Sequence, residues 1–237
     1  MSRFDAFLPS RSGLPSGPRS GPQSGPRSGS WAPFLLIGLC CGIELLVQLG
    51  LWEVFPLARF RATCIEYLGF WPGLLAGWTP NYASQPYTMF VSYAFVHAGP
   101  SHLVSNMIAI YVLSGWVLDR VGARGFLLLY GLAALGGAGL FTLLAESFRP
   151  MVGASGAVFG LAGGLLAWNY VDRFSAQRRL SPVLWIALGL VALNIVHWWS
   201  TRGQLAWQTH LGGFAAGWIA ALLIDPRSAP GRSDPAD

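Results

Sequence analysis

Lysine is absent from this sequence, and charge of either sign is sparse. Only 11% of the 237 residues are charged, against roughly 25% in soluble globular domains. With 53% of residues hydrophobic and a positive mean hydropathy, the chain cannot cover itself with polar surface in water. An ordinary soluble domain is thereby excluded, and lipid is the expected solvent. Cysteine is scarce as well. Cys40, Cys41 and Cys64 form neither an even disulfide framework nor a metal pair at ligand spacing, and they point to no compartment. A His-Glu-x-x-His pair is missing, and His97 and His102 are five apart, off a common helix face, which excludes a metalloprotease built on that motif. Duplicated halves and an intramembrane charge pathway are also missing, which argues against a small transporter or channel. The net charge is +5 and all fifteen basic residues are Arg. They are scattered between apolar runs rather than gathered into a basic stripe, so no nucleic-acid partner is expected. No metal or cofactor is expected either.

What is present is a succession of apolar runs near the roughly 20 residues needed to cross a bilayer. Six spans are predicted, at about 31–51, 101–119, 125–145, 154–171, 182–199 and 207–224. Each is expected to be a helix, because open sheet edges cannot be satisfied in hydrocarbon. Residues 31–225 then form one all-α membrane domain. Ahead of it, residues 1–30 carry Ser-Gly-Pro-Arg repeats at Ser16 to Arg19 and Ser24 to Arg27, and are expected to be a disordered cationic tail. They are not read as a signal peptide, since no apolar run follows the first Arg. Residues 226–237 are expected to be a second disordered tail. The connection 52–100 is too long for a simple loop. It holds five aromatic residues from Tyr67 to Tyr82 and prolines at 56, 72, 80 and 86, and is read as folded and partly interfacial, where Trp and Tyr prefer to sit.

Arginine placement sets the expected orientation. Eleven Arg lie in the N-terminal tail, the loops after spans 2 and 4, and the C-terminal tail; four (Arg59, Arg61, Arg149 and Arg202) lie on the other side. That asymmetry puts both termini in the cytoplasm, and spans 2, 4 and 6 begin at the outer side. The short tails and the lack of an organelle signal point to a bacterial plasma membrane.

Polar groups inside membrane helices each require a partner or a task. Gly153-Ala154-Ser155-Gly156 opens span 4. On its own, the row Gly156, Gly160, Gly164 signals close helix packing; the functional alternative makes Ser155 a nucleophile with glycines that let a substrate backbone approach. The soluble Gly-x-Ser-x-Gly elbow does not apply, because position 157 is Ala and no strand precedes the serine. His210 opens span 6, with Gly213 and Gly217 on the same face. It is either a buried hydrogen-bonding residue or the base a serine requires within hydrogen-bond reach. His102 and Asn106 share a face at the start of span 2. They either satisfy the helix end or offer two neutral donors to one developing negative charge. All three sets lie within one or two turns of the outer end of their spans, and that common depth favours one site over three unrelated structural residues. Glu44 is a buried carboxylate in span 1 for which the sequence names no partner. His197, beside Trp198 and Trp199, is read as an interfacial anchor.

In this order, Phe95-Val96-His97, His102-xxx-Asn106-Met107, Gly-Ala-Ser155-Gly and His210-xx-Gly213-xxx-Gly217 resemble the rhomboid family of intramembrane proteases over roughly residues 86–222. Thr88-Met89 stands where some members carry Trp-Arg. The resemblance implies a six-helix core and a Ser-His dyad without an acidic third member. Its substrates would be transmembrane or juxtamembrane segments of other membrane proteins. It implies Ser155 as nucleophile, His210 as general base and acid, and His102, Asn106 and the Ser155 N–H as the oxyanion site. Phe159 would lie against the histidine, Gly153 would keep the backbone open at the serine, and His97 would support the His102 helix. A non-catalytic rhomboid-like protein that binds membrane helices is the alternative. The sequence does not specify an oligomeric state.

Overall fold

The computed structural model describes residues 31–51, 59–144 and 149–225; the two tail expectations, 1–30 and 226–237, lie outside the described residues. Among the described residues the chain is all-helical, with seven α-helices: α1 Trp31–Leu51, α2 Phe60–Leu68, α3 Gln85–Ser92, α4 Pro100–Leu144, α5 Ser155–Ser175, α6 Ser181–Ser200 and α7 Trp207–Ile224. α1, α4 and α6 are long and apolar enough to cross a membrane.

The region 101–145, expected to hold two spans separated by a loop, holds two helical arms that meet at a kink of one non-helical residue, Gly122, at φ 68° and ψ −175°. Left-handed backbone carries little steric cost only in glycine, so one residue does the work of a loop and divides α4 into two arms. In the first arm Leu103, Asn106, Met107, Ile110, Ser114 and Val117 are buried. Their spacing is one helical stripe. The opposite face carries Val104, Ile108, Tyr111 and Val112, all about half exposed or more, as a helix bathed in lipid should.

α4, α5 and α7 pack against one another, and α1 lies against α4. In hydrocarbon the association of helices rests on close van der Waals packing, which small residues permit. A Cβ on Gly213 would fall on the carbonyl oxygen of Gly156, and one on Gly217 on that of Gly160. The glycine rows of α5 and α7 therefore face each other with backbone against backbone. By contrast α6 buries little. Its inward stripe is Val183, Ile186, Ala187, Leu190 and Asn194, and from Val191 to Ser200 only Asn194 is not exposed.

The connection before α4 is folded over residues 59–99. α2, α3 and two 3₁₀ turns, Pro72–Leu75 and Tyr93–Phe95, are joined by Gln85, which donates to the Glu66 carbonyl (2.7 Å), and by Ser92, which donates to that of Leu68 (2.7 Å). Phe70 and Met151 exchange backbone hydrogen bonds of 2.9 Å, tying this segment to the turn that precedes α5. Glu44, without a partner in the sequence reading, has two. Arg61 of α2 clasps it at 2.7 and 3.1 Å, and Gln48 donates to it at 2.7 Å. At the other end Arg120 donates to Asp172 (2.8 and 3.2 Å) and to Asp225 (2.5 Å), with its guanidinium 5.0 Å from the Trp168 ring centroid.

Candidate active site

Ser155 is the first residue of α5. At a helix start the N–H groups have no carbonyl in a preceding turn, so the backbone around Ser155 presents donors where a negative charge would be stabilised. The turn leading into it is set by Gly153 at φ 117°, whose N–H bonds to the Tyr93 carbonyl at 2.9 Å. A Cβ there would also strike the His102 ring, at 2.5 Å from Cε1 and 2.8 Å from Nε2. Gly153 is thus required twice, for its backbone angle and for the imidazole that covers it.

His210, in the first turn of α7, lies with Nε2 2.8 Å from Ser155 Oγ. The two are 55 residues apart in sequence. What brings them together is the contact of Gly156, the residue after Ser155, with Gly213, one turn beyond His210, since only helices without side chains at the crossing approach this closely. The Phe159 ring lies one turn after Ser155 and stacks on His210, with centroids 4.2 Å apart and planes 8° from parallel. The other ring nitrogen, Nδ1, is 3.0 Å from Oδ1 of Asn194 on α6. Asn194 was not singled out from the sequence, although a signal was present. Within the apolar run 183–196, only Trp185 and Asn194 have side chains able to form hydrogen bonds.

His102 and Asn106 both reach the region from α4, but not symmetrically. The His102 ring lies over Gly153, whereas Asn106 Nδ2 donates to the His102 carbonyl at 2.9 Å. Nδ2 carries a second hydrogen that this bond does not use. Behind them His97 packs edge-on against His102, with ring centroids 5.2 Å apart. Its Nε2 accepts a long 3.5 Å hydrogen bond from the Ala154 N–H, and Arg61 donates to its carbonyl at 2.9 Å. Burial, and then the adjacent His102 ring, push His97 down to about 4. Thr209 donates to Met151 Sδ, closing the packing beneath the Ser155 turn. His197 is exposed on α6. Among the described residues no group of three or more His, Cys, Asp or Glu is placed to hold a metal.

The cluster combines a hydroxyl in contact with an imidazole, a second imidazole and an amide on a facing helix, and the N–H groups of a helix start. Such a set can activate a nucleophile and stabilise an oxyanion. The Rhomboid domain family matches residues 84–227, more than half of the chain and all of these residues. Over 142 residues the chain is 30% identical to Rhomboid-like protease 3 of Toxoplasma gondii, covering 60% of this chain and 53% of the relative. Over 137 residues it is 32% identical to RHOMBOID-like protein 4 of Arabidopsis thaliana, covering 56% and 33%. An uncharacterised protein of Mycobacterium tuberculosis is 31% identical over 142 residues, 58% of each chain. The chain thus spans between a third and about three fifths of the length of these relatives.

Proposed function

The chain belongs to the rhomboid family, and on that premise we propose that it is an intramembrane serine endopeptidase that hydrolyses peptide bonds in or near transmembrane segments of other membrane proteins. The observation that carries this reading is the 2.8 Å contact between Ser155 Oγ and His210 Nε2. It lies at the starts of two neighbouring helices in largely apolar surroundings, where polar groups require a partner or a task.

In the proposed reaction Ser155 Oγ attacks the scissile carbonyl while His210 Nε2 takes its proton. The tetrahedral oxyanion is held by the Ser155 N–H and by the side chains of His102 and Asn106. His210 then returns the proton to the leaving amine, and a water activated by the same nitrogen releases the acyl group from Ser155. The two arms of α4 together with α1, α5, α6 and α7 supply six crossing helices. Both termini are placed in the cytoplasm and the serine toward the outer face of a bacterial plasma membrane, in line with the arginine asymmetry.

The test is cleavage of a fluorogenic transmembrane-segment substrate by detergent-purified protein, with a fluorophosphonate probe as a parallel readout. Ser155→Ala and His210→Ala are expected to abolish both signals while remaining folded. His102→Ala and Asn106→Ala are expected to slow turnover on the order of 10²- to 10³-fold. Full activity in Ser155→Ala would sink the mechanism, and a wild type silent toward several substrates and the probe would favour a non-catalytic helix-binding protein.

A further inference from the structure

Stacking on Phe159 fixes the plane of the His210 ring, but a half-turn about the Cβ–Cγ bond leaves that plane unchanged. The stack therefore does not decide whether Nε2 or Cε1 meets Ser155, nor which nitrogen carries the proton. A neutral imidazole with its proton on Nε2 would donate to the serine and could not accept from it. Something else must select the productive form, and among the described residues the second hydrogen-bond contact to the ring is the 3.0 Å approach of Asn194 Oδ1 to Nδ1.

We propose that Asn194 is a positioning residue for the reaction: its side-chain carbonyl accepts the Nδ1 proton of His210 and so keeps the Nε2 lone pair on Ser155 Oγ. The assignment rests on the protease reading above. Three observations support it independently of one another. Asn194 ends the inward stripe of α6 and is the only residue from Val191 to Ser200 that is not exposed. A bare amide in an otherwise apolar run is costly in hydrocarbon without a partner, and its Oδ1 finds one in His210. The groove around it is lined by Val191, Ile195, Trp198, Trp207 and Leu211, side chains that supply no competing acceptor for the Nδ1 proton, since the two indoles only donate. An amide also orients the ring without adding charge. Where a carboxylate would favour imidazolium, Asn194 selects a tautomer and leaves the ring neutral.

The experiment compares wild type, Asn194→Leu and Asn194→Asp in cleavage of the transmembrane-segment substrate, reading kcat, KM and the pH profile, with probe labelling of Ser155 alongside. Asn194→Leu is expected to lose about 10- to 100-fold in kcat with KM little changed. Asn194→Asp, nearly isosteric, is expected to keep activity at alkaline pH and to move the acid limb of the profile to higher pH, because its carboxylate favours the protonated ring that cannot act as a base. A role confined to packing would move neither limb. A wild type that cleaves beside an Asn194→Leu variant unchanged in kcat, or beside an Asn194→Asp variant with an unmoved acid limb, overturns this assignment alone. A wild type that neither cleaves nor labels overturns the protease reading and this assignment with it.

Discussion

At the scale of single residues, the site is a set of groups each held by a neighbour from a different part of the chain. His97 illustrates this. Its carbonyl is fixed by Arg61, its ring by His102, and its Nε2 faces the Ala154 N–H just ahead of the serine. Because burial holds it down to about 4, below the usual value near 6.5, the folded protein resists a proton that the unfolded chain accepts. The contribution of neutral His97 is complete above about pH 6.5 and is lost as pH falls toward 4, amounting to on the order of 3 kcal/mol. Thermal unfolding followed from pH 7 to pH 4 is therefore expected to show a smaller acid-induced drop in His97→Gln than in wild type. Equal drops would remove His97 from this role.

At the scale of elements, the α5–α7 crossing decides whether Ser155 and His210 meet. The atom that a new methyl group would strike at Gly213 or Gly217 is backbone oxygen, which cannot rotate away, so the helices must separate. Gly217→Ala is expected to destabilise by about 1–3 kcal/mol and to lower turnover through the same displacement. Gly189→Ala on α6 meets nothing within 4 Å and is expected to be neutral or slightly stabilising through helix propensity. Denaturation midpoints of the two variants in one detergent check the contrast. The same comparison tests whether α5 and α7 are held by backbone proximity, as small residues at a membrane helix interface imply, or by the surrounding apolar contacts.

At the scale of the whole molecule, two charged clasps hold the helices at either end. Near the site, Glu44 and Arg61 join α1 to the folded connection. Far from it, Arg120 gathers Asp172 of α5 and Asp225, the residue after α7. Asp172 is 17 residues along α5 from Ser155, roughly 25 Å at a rise of 1.5 Å per residue. Removing the cation leaves two carboxylates facing each other, one of them buried. Arg120→Gln is expected to cost about 3–5 kcal/mol, seen as a lowered midpoint of thermal unfolding, while kcat per folded molecule stays near wild type. A large fall in kcat in protein shown to be folded would mean that the distant clasp also sets the geometry at Ser155.

The sequence by itself determined the helical class, the helix bounds at 31–51 and 207–224, and the candidate residues Ser155, His210, His102 and Asn106. Apolar length and the i, i+4 and i, i+7 spacings are local properties that survive without knowledge of the fold. Only the tertiary structure decided that the two arms of α4 meet at Gly122 without a longer loop, that Glu44 pairs with Arg61, that Arg120 reaches Asp225 across 105 residues, and that Asn194 meets His210. Each of those depends on how helices are rotated and set in depth against one another, and for a polar group in an apolar run hydropathy records only that a partner is required, not which one it is.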